Sequence, residues 1–218
     1  MILTSSTPLE PVHLPGTRLA GESTAAINQM NVKKLFDDLD PAIWVVTSGN
    51  STSQGGCVAT FVMNASISHE VPRLVVGIAR HHHTHQLIVE SSRLALHLLL
   101  EDQVGEVVAF GTQSGHDVAK VADAAASLDE AGMPRLERYG ARLSAGVETS
   151  LDIGDRTLFV CHVEQNETGP AGTHMTLNSL LPQLTDDQKG LLKQQLSLDA
   201  ARDFAAIQAW RKDHDCAE

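Results

Sequence analysis

With 27 acidic against 16 basic side chains in 218 residues, the chain carries a formal net charge of −11, which argues against a surface built for nucleic acid or anionic lipid. Hydrophobic residues make up 42%, enough to fill one domain with appendages and to argue against global disorder. No apolar run reaches the roughly 18 residues of a membrane span, the opening MILTSSTPLEPVHLPG has neither a basic nor an apolar leader region, and Cys57, Cys161 and Cys216 form no paired motif. The expectation is a cytoplasmic chain with reduced thiols.

Residues 1–29 are rich in Pro, Ser, Thr and Gly and show no sustained period, as in an arm. Val32, Leu35, Phe36 and Leu39 then fall at helical spacing, with Asn31 as cap and Asp40-Pro41 as stop. The period changes in the centre. Ala42–Thr47, Cys57–Met63, Leu74–Ala79 and Leu94–Leu99 are short apolar or β-branched runs bounded by turn residues. The polar SGNSTSQGG between the first two predicts a hairpin. Helical stretches are expected over about 84–92 and 102–124, and two late strands over Ala141–Leu151 and Arg156–Glu164. Thr185-Asp186-Asp187-Gln188 is a capping box that opens a helical pair over about 185–212. Six short strands with two brief helical inserts suit a small closed barrel of mainly β, α+β class. The expected organisation is an arm (1–29), a barrel domain (30–170) and a C-terminal helical extension (171–218).

Residues 55–68, GGCVATFVMNASIS, with Pro72 beyond them, are the most informative stretch. A glycine pair opens a strand, and small residues alternate with hydroxyls. Backbone of this kind approaches a ligand closely while hydroxyl and amide groups face it, as an anionic planar cofactor requires. Thr60 and Ser66 are the side-chain donors; Cys57, Ala59, Ala65 and Ile67 would act through their backbone. Arg80-His81-His82-His83-Thr84 ends one strand and begins a helix, whose N-terminus favours phosphate. Arg80 adds a bidentate donor, and Thr84 a hydroxyl that can also cap the helix. Lys120, five residues after the Ser114-Gly115 pair, is a further candidate for phosphate or for a cofactor's hydroxyl oxygens. His81, His82, His83 and His85 are candidate metal ligands. Consecutive residues do not converge on one side of a strand or helix, however, and no carboxylate or cysteine sits at ligand spacing. The expectation is a solvated turn without metal. Trp44 and His162 read as core or interface residues.

Three patches together resemble the flavin reductase-like family of FMN-binding split barrels. They are Trp44–Pro72, the segments 77–99 and 110–120, and PRLERYGARLSAGVETSLDIGDRTLFVCHVEQ over 134–165. The resemblance implies a six-stranded Greek-key split barrel, usually a homodimer, that binds FMN or FAD and reduces flavin with NADH or NADPH. A single phosphate-binding element and no glycine-rich pyrophosphate fingerprint favour FMN. Two departures bear on the chemistry. Val58-Ala59-Thr60 stands where the family often has Thr-Ala-Ser, and Gly154-Asp155-Arg156 where it commonly has Gly-Asp-His. The family's His is implicated in nicotinamide contact, so Arg156 becomes the candidate there and nicotinamide use is weakened more than flavin binding. Two alternatives stay open: an FMN-holding electron-transfer protein reduced by a protein partner, and a non-enzymatic split-barrel binder, for example of haem. Hydride transfer to flavin needs no protein nucleophile, so no catalytic residue is assigned.

Overall fold

Two residues, Thr60 and Phe61, dictate the shape of the sheet. The computed structural model describes residues 34–36, 38–50, 52–112, 127–129 and 132–214. Its main sheet is assembled from β1 (Trp44–Gly49), β2 (Gln54–Ala59), β3 (Val62–Asn64), β4 (Arg73–Ala79), β5 (Arg93–Leu98), β8 (Ala141–Asp152) and β9 (Arg156–Thr168). The seven strands lie in the order β2-β1-β5-β8-β9-β4-β3, and every pairing is antiparallel. β2 and β3 are consecutive in the chain yet occupy opposite edges. In a flat sheet those edges would stand roughly 29 Å apart at about 4.8 Å per strand. The step from Ala59 to Val62 spans at most about 11 Å. The sheet therefore has to curl, and it forms an open-sided half-barrel.

This corrects the expected count of six strands. The run Cys57–Met63 reads as one strand but turns at Thr60-Phe61, where the chain leaves β1 for the far edge and Phe61 C=O accepts the Gly77 N–H at 2.9 Å. A two-stranded ribbon, β6 (Ser127–Leu128) with β7 (Pro134–Arg135), stands apart from the main sheet. The β1–β2 hairpin forms as expected, its turn held by Asn50 Oδ1, which accepts from the N–H groups of Thr52 and Ser53. β8 and β9 make the longest pairing, with irregularities at Ser144/Ala145 and Val147/Thr149 that sharpen its curl.

Alternation along β1 separates two cores. Val46 joins Cys57, Leu74, Val76, Ile78, Leu94, Leu96, Phe159 and Cys161 in one cluster. Val45 turns to the other face with Ile43, Leu99, Val107, Phe110, Met175, Leu180 and Leu184. Helix α1 (His83–Ser91) sends Leu87 and Ile88 into the interior. Helix α2 (Val104–Thr112) buries Val107 and Phe110, and residues 113–124 of the longer helix expected over about 102–124 lie outside those described. The same holds for Asn31 and the start of the helix expected over 31–39, of which 34–36 and 38 are helical.

The C-terminal region departs from the expected helical pair. A short helix α3 (Leu177–Leu180) and a 3₁₀ turn (Leu181–Gln183) lead into a single 28-residue helix, α4 (Asp186–Asp213). Thr185 closes the expected capping box, accepting from Gln188 N–H at 3.2 Å while Gln188 Oε1 accepts from Thr185 N–H at 2.9 Å. Within α4 only Gly190 opposes the helix, at a cost of about 1 kcal/mol, so nothing divides it in two. None of its residues is fully buried; it lies across the barrel rather than inside it. No helix among the described residues is long and apolar enough to cross a membrane.

Candidate functional site

Three chain turns meet at one end of the barrel, and α4 crosses over them. The first follows β4. Arg80 N–H donates to Asp155 C=O at 3.0 Å, and its guanidinium pairs with Asp152 at 2.8 Å. The chain reverses through a His82 N–H to Ala79 C=O bond of 3.1 Å. His82 takes the extended N-cap conformation (φ −78°, ψ 135°), and α1 starts at His83. Thr84 is thus not the cap: it lies inside the first turn and is buried, because the backbone reversal and not a side chain sets the helix start. His85 N–H bonds the His82 C=O at 3.0 Å as the first bond of the helix, and the N–H groups that precede it point out of the helix start, which makes this end locally positive.

The second turn joins β8 to β9. Gly154 sits at φ +99°, a left-handed conformation that suits glycine, and a Cβ there would lie 2.7 Å from Trp210 Cβ of α4. Asp152 Oδ1 accepts the Gly154 N–H at 2.8 Å. Arg156, which follows, stands opposite Ala79 in the β4–β9 register, so it flanks the same end as Arg80. Its Nε bonds Asp155 at 2.5 Å, its Nη2 bonds Asp203 of α4 at 2.7 Å, and its guanidinium lies 4.5 Å from the Phe61 ring centroid. The residue expected to face nicotinamide is thereby engaged by two carboxylates. Burial raises the Asp203 pKa, against the opposing pull of Arg156. Phe61 packs over Gly77, where a Cβ would come within 3.2 Å of Phe61 Cβ.

The β2–β3 corner is the third turn, and it divides the expected signature. Cys57 and Ala59 are buried at the end of the edge strand, with Val58 and Thr60 half-buried beside them. As an edge strand, β2 has one row of backbone N–H and C=O groups facing away from β1. Ala65, Ser66 and Ile67 fall instead in the loop before β4. Ala65 is exposed, Ile67 is 96% exposed, and the Ser66 hydroxyl is tied to Ser68 C=O (3.1 Å) and Val71 C=O (2.9 Å). Ser66 thus closes its own loop. Lys120 and Ser114 lie outside the described residues.

His85, one turn into α1, has its Nε2 2.8 Å from Thr157 Oγ1 on β9. Burial and then the charge of Arg80 lower its pKa below the usual histidine value, so the ring is neutral at pH 7. His81 Nε2 lies 3.0 Å from Asp199 Oδ1 of α4, which supplies the carboxylate that no local spacing revealed. His162 is about half exposed and pairs with Glu164 at 3.3 Å, whereas Trp44 packs against the interior cluster. Cys161 is buried and its thiol is pushed up to about 12, first by desolvation and then by Glu148, so it remains protonated. A shallow hollow of about 440 Å³ runs along α4 between Gly190 and Leu198, lined by residues of that helix alone. The chemistry-bearing side chains converge elsewhere, at the three turns.

The site thus joins a curled antiparallel sheet with two arginines and a helix N-terminus at one end. Residues 38–181 match the flavin reductase-like domain, and the chain belongs to that family. α4 lies beyond the matched residues. Among solved structures, the chain is similar to an FMN-binding protein from Thermus thermophilus with bound 1-cyclohex-2-enone, at 25% identity and TM-score 0.54, over 59% of this chain and 71% of that one. It is also similar to the NADH:FAD oxidoreductase SgcE6 of Streptomyces globisporus, at 20% identity and TM-score 0.63, over 73% and 95%. BorF, the flavin reductase component of a bacterial two-component tryptophan halogenase, shares the fold at 17% identity and TM-score 0.61, over 70% and 95%. No curated protein matches in sequence.

Proposed function

We propose that the chain binds FMN at the three-turn end of the barrel and reduces flavin with NADH or NADPH, acting as a cytoplasmic homodimer. The observation that carries this is the donor set. Arg80 and the first turn of α1 stand together at the start of that helix, which packs against edge strand β2 at Gly55, in a chain of net charge −11. A phosphate dianion needs such a place, and a flat ring system needs small, close backbone such as Cys57–Thr60. The residues present fit the group.

In this reading Arg80 and the start of α1 hold the phosphate, and Thr84 shapes the turn from beneath. Val58, Ala59 and Thr60 present backbone and one hydroxyl to the ring edge. Ala65, Ser66 and Ile67 border the site through their loop, and Lys120 is a candidate for ribityl or phosphate oxygens. Bound flavin supplies the hydride chemistry, and the protein orients nicotinamide and flavin and keeps water out. Arg156 faces the nicotinamide side and stabilises anionic groups there. One phosphate-holding element favours FMN over FAD; the 25%-identical Thermus thermophilus structure is described as FMN-binding, and the S. globisporus enzyme as an FAD oxidoreductase. The barrel domain (30–170) carries the site, and the extension (171–218) contributes Met175, Leu180 and Leu184 to the core before α4 crosses the outside.

One observation favours a second reading. Arg156 is closed off by Asp203, so a flavoprotein reduced by a protein partner fits the covered nicotinamide side. Purified protein loaded with FMN and mixed anaerobically with NADH or NADPH separates the two. Rapid bleaching of the flavin bands is expected; an FMN complex that stays oxidised with both nucleotides yet bleaches with a chemical reductant would select the second reading.

A further inference from the structure

We propose that His81, His82 and Asp199 form a binding site for a divalent transition-metal ion of the zinc type, which fastens α4 to the β4–α1 turn. The proposal does not rest on the flavin reading, although His81 and His82 lie between Arg80 and the start of α1. One ligand atom from each residue lies within 4.8 Å of the others. His81 Nε2 is 3.0 Å from Asp199 Oδ1, and His82 Nε2 is 4.0 Å from Asp199 Oδ2. Donors around a tetrahedral ion at about 2.0–2.2 Å stand roughly 3.3–3.6 Å apart. The observed spacings bracket that value, so small side-chain shifts suffice.

Consecutive histidines converge here because they lie in the reversal between β4 and α1, and not within a strand or helix. Their rings are nearly perpendicular, at 87°, with centroids 4.7 Å apart, so they do not stack. The third ligand comes from 118 residues away. Asp199 is itself oriented within α4: Gln195 Nε2, one turn earlier, donates to its Oδ1 at 3.0 Å, the outer support that metal-binding carboxylates commonly have. Asp203, one turn later, has an Oδ1 that is buried and makes no hydrogen bond to any described residue, and it adds negative potential. Arg202, three residues along α4, is the nearest cation: it stands 3.5 Å from Asp199 Oδ1 and is more than half exposed, so it can turn to solvent, while Arg156 is matched by Asp155 and Asp203 and Arg80 by Asp152. Imidazole and carboxylate together select zinc, cobalt, nickel or copper over magnesium or calcium. Three protein ligands at partly exposed positions leave a coordination place for water.

Full-length protein without a histidine tag, stripped with a chelator and titrated with Co²⁺, tests this. One equivalent should bind with a visible ligand-field spectrum that Zn²⁺ abolishes. His81→Ala and Asp199→Asn should weaken binding at least tenfold, about 1.4 kcal/mol. His162→Ala, which alters a separate histidine–carboxylate pair, should leave it unchanged. Zn²⁺ should raise the melting temperature of the wild type and not of Asp199→Asn. Circular dichroism confirms that each variant is folded, and Asp199→Asn keeps an acceptor for His81. No stoichiometric Co²⁺ binding by wild type, or equal binding by wild type, His81→Ala and Asp199→Asn, would overturn the proposal. The FMN spectrum, recorded in parallel, reports on the flavin site separately.

Discussion

Arg80 and Asp152 pair at 2.8 Å and so tie the start of α1 to the end of β8. Both side chains are about half exposed, so the pair itself adds little stability, and Arg80 can exchange this partner for a ligand phosphate at small cost. Arg80→Ala should therefore lower FMN affinity by roughly 10- to 100-fold, the worth of a charge-assisted contact. Riboflavin, which lacks the phosphate, should bind almost as before. Asp152→Asn removes the competing charge but keeps the oxygen that accepts from Gly154 N–H, so FMN should bind as tightly or more tightly. Flavin fluorescence quenching measures each of these affinities against wild type. Equal losses of FMN and riboflavin in folded Arg80→Ala would move the phosphate to Lys120 and Ser114.

Arg156 is held by Asp155, its neighbour in the β8–β9 turn, and by Asp203 from α4. If it serves the nicotinamide side, Asp203 competes with an anionic substrate. Asp203→Asn should then lower KM for NADH or NADPH by about three- to tenfold, with kcat and FMN affinity little changed. Arg156→Ala should raise KM by a similar factor. Steady-state kinetics with saturating FMN decide it: unchanged KM in both variants would remove Arg156 from nicotinamide binding.

His97 makes the stability of the fold sensitive to acid. It is fully buried on β5, with Nδ1 3.3 Å from Val45 C=O and Nε2 accepting from Leu136 N–H at 3.3 Å. Burial first, and the nearby Arg142 next, push its pKa from 6.5 down to about 3. The unfolded chain takes up this proton near pH 6.5 and the folded chain only near pH 3. The contribution is therefore complete above about pH 6.5 and is lost as pH falls toward 3, at up to about 1.4 kcal/mol per pH unit. His97→Gln, which keeps a donor and an acceptor, should lower stability at pH 7 but flatten the decline between pH 6 and 4. Urea unfolding at several pH values measures both slopes; parallel slopes would exclude His97 as the source.

The strands were legible because their apolar, β-branched runs each bury a face; the β4, β5, β8 and β9 segments stand where those runs predict, within a few residues. The break at Thr60-Phe61 was not, since Cys57–Met63 keeps strand character on both sides of the corner and only the topology of the sheet demands the turn. Thr84 carried a cap-like sequence signal, but a backbone reversal at Arg80–His82 took over the task. Arg80 and Arg156 could be found from local motifs. Asp199 and Asp203 could not: a carboxylate on a polar helix looks solvated until the helix is placed. Their contacts with His81 and Arg156 exist only through the path of α4 across the barrel.

Self-association is the remaining consequence of the surface. Met63 on edge strand β3, and Ile67 and Val71 in the loop that follows, are each more than half exposed. Large apolar side chains grouped beside an unpaired edge mark a contact surface. A second copy of this chain is the expected occupant, related by a two-fold axis. Burying each side chain in such an interface is worth about 1.5–3 kcal/mol. Met63→Lys with Ile67→Asp should therefore raise the dimer dissociation constant by roughly 100-fold or more, while the near-UV spectrum of the fold persists. Sedimentation at micromolar concentration should show wild type at twice the 23.4 kDa of the chain and the double variant shifted toward the monomer. A wild type found only at monomer mass would reject the dimer, and a double variant that stays dimeric would place the interface on another face.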